Sequence, residues 1–160
     1  MRIAFADPPY IGQAKKHYNS EEVDHKALLG QLEVYDGWAL SLSSPTLQEI
    51  LALCPSGVRV GAWVKPFCSF KPNVNPAYAW EPVIFKPARD RGRNKLTVRD
   101  WVSANITLKR GLSGVKPDAF SFWLFEILGA EPTDEFIDIF PGTSSVSKAW
   151  DKWIRGMTLD

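Results

Sequence analysis

The chain has 160 residues, of which 45% are hydrophobic, and its formal net charge is +1. This composition is typical of one globular domain, residues 1–160, that buries a core without disulfides or a metal. Two cysteines and two histidines are too few for a zinc site, and no apolar run is long enough to span a membrane. We therefore expect a metal-free cytoplasmic protein.

The predicted secondary structure alternates between strands and helices. Apolar, β-rich runs predict strands at residues 1–6, 38–42, 58–64, 79–85 and 135–140. Amphipathic or apolar stretches predict helices at residues 24–34, 45–54, 117–128 and 146–154. Residues 89–114 have no clear periodicity, so we expect an irregular insertion with one short element around 96–106. The alternation indicates an α/β fold with a mostly parallel sheet.

The first predicted strand runs directly into Asp7-Pro8-Pro9-Tyr10. The exocyclic amine of a nucleic-acid base is a poor nucleophile because its lone pair is delocalised into the ring. A carboxylate and a backbone carbonyl that accept the two amine hydrogens, with an aromatic ring stacked on the base, favour its reaction. Asp7, the Pro8 carbonyl and Tyr10 are such groups. This loop is either catalytic or a simple turn that ends the strand.

A second loop leads from the last predicted strand into the last helix. It runs from Asp138 through Gly142 to Ser145. Backbone N–H groups and the helix dipole point at any ligand above such a loop, and glycine lets the ligand approach the backbone. The loop is therefore a candidate cofactor site, although Thr143 as a simple helix cap is the alternative.

Positive charge is concentrated in one segment. Residues 86–110 contain eight lysines and arginines against two aspartates. Such a segment is either a local phosphate-binding surface or a solvated loop. Lys15 and Lys16 follow the first loop closely enough to contact phosphate as well.

Three pieces of the chain, taken in order, resemble the beta class of amino-group DNA methyltransferases. Asp7 to Tyr10 is similar to the catalytic motif of that family in its adenine-preferring form. Gly114-Val115-Lys116-Pro117 resembles the segment that helps to hold the methionine part of the cofactor. Asp138 to Ser145 resembles the cofactor loop, usually Asp-x-Phe-x-Gly-x-Gly. The permuted order, with the catalytic motif first, is that of the beta class, and the resemblance covers nearly the whole chain.

The resemblance implies a single-domain Rossmann-like methyltransferase fold with an antiparallel late strand at Trp80 to Phe85, and with the strand to Asp138 beside the strand to Asp7. It implies methyl transfer from S-adenosylmethionine to adenine N6 of a base flipped out of double-stranded DNA, with no metal. The implied base-handling residues are Asp7, Pro8, Pro9 and Tyr10. The implied cofactor residues are Ala6, Asp7, Lys116, Asp138, Phe140, Pro141, Gly142, Thr143 and Ser144. A target-recognition region over residues 86–114 and the loop after Tyr10 would supply the DNA-binding residues Lys15, Lys16, Arg89, Arg91, Arg93 and Lys95.

The chain departs from the family pattern at two points. Ser144 replaces the second glycine of the cofactor loop, which is tolerated if the turn avoids positive φ. The family continues into a strand whose acidic residue binds the ribose, so the last strands are expected to be missing in a chain that ends at Asp160. Two alternatives stay open, an inactive relative that binds nucleic acid or a protein, and the same chemistry on RNA or a nucleotide. A homodimer is also compatible with the sequence.

Overall fold

A computed structural model describes residues 1–10, 22–68, 70–107 and 115–157. Strands and helices alternate along these ranges as predicted, with small shifts at their ends. The strands are β1 Arg2–Ala6, β2 Gly37–Ser41, β3 Arg59–Val64, β4 Trp80–Lys86, β5 Trp101–Ser103 and β6 Glu135–Asp138. The helices are α1 His25–Leu32, α2 Leu47–Leu51, α3 Asp118–Ile127 and α4 Ser145–Met157, and a 3₁₀ turn at Ser44–Thr46 leads into α2.

The six described strands form one sheet in the order β5-β3-β4-β2-β1-β6. β1 pairs in parallel with both β2 and β6, and β5 pairs in parallel with β3. β4 is antiparallel to its two neighbours, β2 and β3. The mostly parallel sheet, the antiparallel late strand and the pairing of β6 with β1 are thus confirmed. We call the side where β1, β3 and β6 end and β4 begins the carboxyl edge, and the opposite side the amino edge.

Both faces of β1 are buried. Ile3 and Phe5 pack with α3 and α4, whereas Ala4 and Ala6 pack with α1 and α2. Helices on both faces explain why the first six residues are almost continuously apolar, as in other parallel sheets. None of the helices in the described ranges combines the length and the hydropathy of a membrane span.

The segment that follows β4 is only partly irregular. It contains the short strand β5, which adds to the outer side of β3 with Trp101 opposite Ala62. Three residues are too few to show the alternation of a strand, so the sequence predicted a short element around residues 96–106 without indicating that it is a strand. Before β5 the chain runs past the end of α3 at the amino edge, where the Ala88 N–H donates to the Leu128 carbonyl at 2.9 Å.

Candidate active site

The two predicted functional loops leave adjacent strands at the carboxyl edge. Phe5 on β1 lies opposite Asp138 on β6, and the Ile139 N–H donates to the Phe5 carbonyl at 2.9 Å. Asp7 therefore begins its loop beside the start of the Asp138 loop. Open α/β sheets bind ligands at this edge, in the crevice above the strand ends.

Lys116, just before α3, reaches the first loop. Its side chain is 4% exposed, and its Nζ lies 3.2 Å from Asp7 Oδ2 and 3.2 Å from Glu81 Oε2. The resemblance assigned Lys116 to the cofactor, but here its ammonium faces two carboxylates of the protein. A buried ammonium requires such partners because its desolvation is otherwise very costly.

Glu81 accepts from three side chains at the start of β4. Its Oε2 accepts from the Tyr10 hydroxyl at 2.8 Å and from Lys116, and its Oε1 accepts from Lys65. Sequence reasoning singled out neither Glu81 nor Lys65. We call Asp7, Tyr10, Lys65, Glu81 and Lys116 the carboxyl-edge cluster. The formal charges of its two lysines and two carboxylates cancel.

Aromatic rings line the cluster. Nζ of Lys65 lies 4.5 Å, and that of Lys116 5.1 Å, from the centroid of the Trp63 ring. Lys116 also lies 5.6 Å from the Phe120 centroid. The indole N–H of Trp63 donates to the Ala104 carbonyl at 2.8 Å, which fixes that ring. The rings attract the two ammonium groups and exclude water, so charge interactions within the cluster are strong.

The two carboxylates of the cluster have different pKa values. Burial raises the pKa of Asp7, Lys116 opposes this, and the negative charge of Glu81 adds to it, so that the net pKa is raised. Burial also acts on Glu81, but Lys116 and Lys65 lower its pKa to about 2. Burial, with Asp7 and Glu81, holds the pKa of Tyr10 well above its usual value, so its hydroxyl remains a donor. Asp7 is thus the more basic carboxylate, the usual arrangement when one of two acids serves as the acceptor.

Asp138 has an unsatisfied oxygen. Ser147 Oγ donates to its Oδ2 at 3.3 Å, whereas the buried Oδ1 has no hydrogen-bond partner in the described part of the chain. Burial, assisted by the charge of Asp7, raises the pKa of Asp138 to about 6. A buried acceptor without a donor is costly, and a cationic ligand would relieve that cost.

The turn after Asp138 has a left-handed backbone at two positions. Gly142 has φ 46° and Ser144 has φ 57°. The condition under which Ser144 would be tolerated, a turn that avoids positive φ, is therefore not met. A side chain in this region costs about 1–2 kcal/mol because Cβ approaches the neighbouring carbonyl oxygen. Of the two left-handed positions in the loop, only one is occupied by glycine.

The other predicted cofactor residues lie around the same turn. Phe140 packs partly into the core next to α1 and α2, and Pro141 is exposed. Thr143 is partly buried. Ala6 is fully buried within β1, so its side chain is closed to any ligand. Pro8 is buried as well, directly after Asp7.

The structure does not bring the predicted basic residues to the site. β4 begins at the carboxyl edge and ends at the amino edge, so the chain between β4 and β5 lies on the far side of the sheet from Asp7, and only the end of β5 returns to the carboxyl edge. Ion pairs hold three of these residues there: Arg89 with Asp134, Arg91 with Glu126, and Lys95 with Glu131. Arg93 is an exposed residue of the same segment. Lys15 and Lys16 lie outside the described residues.

The strained turn can be tested by replacing Ser144 with glycine. We expect Ser144→Gly to stabilise the protein by about 1 kcal/mol or less, because the relieved cost of a left-handed Cβ exceeds the opposing gain in unfolded-state entropy. Urea unfolding measures the change. Ser144→Ala is the control, since alanine also carries Cβ and should give no such gain. Equal stabilisation by both variants would contradict the explanation that a left-handed Cβ strains the turn.

The raised pKa of Asp138 predicts a stability effect that depends on pH. The folded state holds the proton up to about pH 6, whereas an unfolded aspartate releases it near pH 4. The destabilisation by the buried charge therefore grows between about pH 4 and pH 6 and stays constant above. Asp138→Asn should be more stable than wild type at pH 8 and lose this advantage at pH 4, as measured by thermal unfolding at both values. Asp151→Asn, which changes an exposed carboxylate on α4, should show no comparable trend.

Comparison with known proteins supports the fold at low sequence identity. No family model and no curated protein matches the chain. The crystal structure of an M1.HpyAVI–SAM complex matches with a TM-score of 0.64 and 18% identity, over 96% of this chain and 78% of that one. A second structure of M1.HpyAVI matches with a TM-score of 0.60 and 16% identity, over 95% of this chain and 76% of that one. The protein therefore has the Rossmann-like fold of M1.HpyAVI, with the carboxyl-edge cluster beside the Asp138 turn.

Proposed function

We propose that the protein transfers a methyl group from S-adenosylmethionine to N6 of adenine in DNA. The observation that carries this proposal is the position of Asp7, the more basic of two partly buried carboxylates, between Tyr10 and the Asp138 turn. The fold shared with M1.HpyAVI, which binds SAM in one of its structures, supports the cofactor. The resemblance of Asp7 to Tyr10 to the adenine-preferring motif supports the base.

The residues around the Asp138 turn fit S-adenosylmethionine. Its methionine part carries an ammonium group, and the buried Oδ1 of Asp138 is an acceptor that lacks a donor among the described residues. The turn is followed by the start of α4, whose N–H groups and dipole favour a carboxylate. Gly142 is exposed at the turn and leaves the backbone approachable. When bound, the cofactor supplies an electrophilic methyl group.

The first loop would hold the base. Asp7 and the Pro8 carbonyl accept the two hydrogens of the adenine amine, which directs the nitrogen lone pair out of the ring system. Lys116 contacts Asp7 Oδ2, but the Asp7 side chain retains 22% exposure and can still be reached from the cleft. Its raised pKa makes it a better acceptor for the proton that the amine loses. The Tyr10 ring stacks on the base.

We further propose that the loop between β3 and β4, residues 65–79, contacts the DNA in place of the basic segment. The loop begins at Lys65 of the carboxyl-edge cluster, and its sequence has two lysines and no acidic residue. Phe67, Phe70 and Tyr78 are 56%, 82% and 52% exposed. Exposed rings on a loop that carries no acidic residue of its own suit the stacking of unpaired bases next to a flipped adenine.

The central test is methyl transfer itself. Wild type incubated with S-adenosylmethionine and adenine-containing duplex DNA should yield N6-methyladenine, detected by mass spectrometry of digested nucleosides. Asp7→Asn should lower the rate by about 100-fold or more, since an amide is a far weaker proton acceptor. Asp118→Asn, which alters an exposed carboxylate paired with Lys152, should stay active.

Other outcomes separate the alternatives. If the protein binds the cofactor and methylates RNA or a nucleotide but not DNA, then that molecule, and not DNA, is the methyl acceptor. Neither cofactor binding nor product with any acceptor would contradict methyl transfer and favour an inactive relative.

The proposed DNA surface can be tested at its most exposed ring. Phe70→Ala should weaken DNA binding by about 1 kcal/mol or more, which is the contribution expected of one base stacked on an aromatic ring. Fluorescence anisotropy with a labelled duplex measures the affinity. The control is Leu96→Ala, which removes an 88% exposed apolar side chain from the segment after β4 and should not matter. If Arg93→Gln weakened DNA binding more than Phe70→Ala does, the DNA-binding surface would instead be the basic segment after β4.

A further inference from the structure

Glu81 is a charged residue in the site that the proposed chemistry does not yet use. It joins three segments that are distant in sequence: the first loop through Tyr10, the end of β3 through Lys65, and the start of α3 through Lys116. Its side chain is 16% exposed, and that of Lys65 is 13% exposed. Buried ion pairs contribute little net stability, so stability alone is a weak reason for these charges.

We propose that Glu81 is a positioning residue for methyl transfer, which anchors the Tyr10 ring and draws Lys116 away from Asp7 so that Asp7 can accept the substrate amine. This inference rests on the proposed function, because it assigns Glu81 a role in that reaction.

The anchoring of Tyr10 follows from the geometry of its side chain. A tyrosine ring has two side-chain torsions, and the hydroxyl is at the end farthest from the backbone. The 2.8 Å hydrogen bond to Glu81 Oε2 therefore holds the far end of the ring and with it the position of the ring over the cleft. A base that stacks on a fixed ring is held with its amine in one place, and a misplacement of about 1 Å can cost 100-fold in rate.

The effect on Asp7 follows from the charges around it. Asp7 faces Lys116 before α3, Lys65 after β3, Glu81 on β4, Tyr10 on its own loop and Asp138 on β6. Lys116 lies at the same distance, 3.2 Å, from both cluster carboxylates. Without the negative charge of Glu81, two ammonium groups would face one carboxylate, and Lys116 would pair with Asp7 alone. The substrate amine would then compete with a lysine for its acceptor.

The test is Glu81→Gln, which keeps the shape of the side chain and an oxygen that accepts from Tyr10. We expect kcat to fall by about 10- to 100-fold, while the Kd for S-adenosylmethionine measured by calorimetry stays unchanged. The acidic limb of the pH–rate profile should move to lower pH, because loss of the Glu81 charge lowers the pKa of Asp7. A purely structural role would not move this limb.

A second substitution tests the charge balance. Lys65→Met in the Glu81→Gln background removes one positive charge and should recover part of the lost kcat. The matched control is Glu126→Gln, which breaks the ion pair with Arg91 at the amino edge and should leave kcat unchanged. Thermal unfolding of each variant checks that it is folded.

The outcomes separate this inference from the function on which it rests. An active wild type with an unchanged kcat and acidic limb in Glu81→Gln would overturn the positioning role alone. A folded Glu81→Gln variant with lower kcat, an unmoved limb and no recovery by Lys65→Met would also overturn it. A wild type without methyl transfer to any acceptor would overturn both proposals.

Discussion

The structure of the candidate site depends on one buried ammonium group. Lys116 is almost inaccessible to solvent, and its charge is stabilised only where carboxylates surround it. Asp7 on the loop after β1 and Glu81 on β4 meet this need from two strands that are not neighbours in the sheet. The pairing therefore joins the first loop, the late strand and the start of α3 at the carboxyl edge.

The two halves of this site are organised differently. In the half assigned to the base, each charged side chain already has a partner of opposite charge, so that region is preorganised. In the half assigned to the cofactor, Asp138 has a buried oxygen without a donor among the residues that the structure describes, and Ser144 has a strained backbone. Contacts within the protein already order the side chains of the first half, whereas the second half has interactions left for a ligand to make.

Most of the fold was predictable because its signals are local or periodic. Apolar runs gave the strands, and the polar loops after β1 and β6 gave Asp7 and Asp138 as neighbours in one site. Glu81 and Lys65 were missed because a single charged residue at a strand end has no period. Their signal was the direction of β4: a strand expected to be antiparallel places its first residues, not its last, at the carboxyl edge. The backbone angle of Ser144 has no counterpart in composition or pattern.

The same strand direction explains why Arg89, Arg91 and Lys95 lie at the amino edge. A cluster of charges along the sequence does not reveal which side of a sheet it reaches, and Arg89 and Arg91 instead pair with acidic residues near the end of α3 and the start of β6. β4 thus has its first residues in the carboxyl-edge cluster and its last residues beside the ion pairs that hold the amino edge together. The exposed residues 92–94, which lie between Arg91 and Lys95, are consequently a natural point for attaching an extra module or an affinity tag, because an addition there would grow away from the cleft.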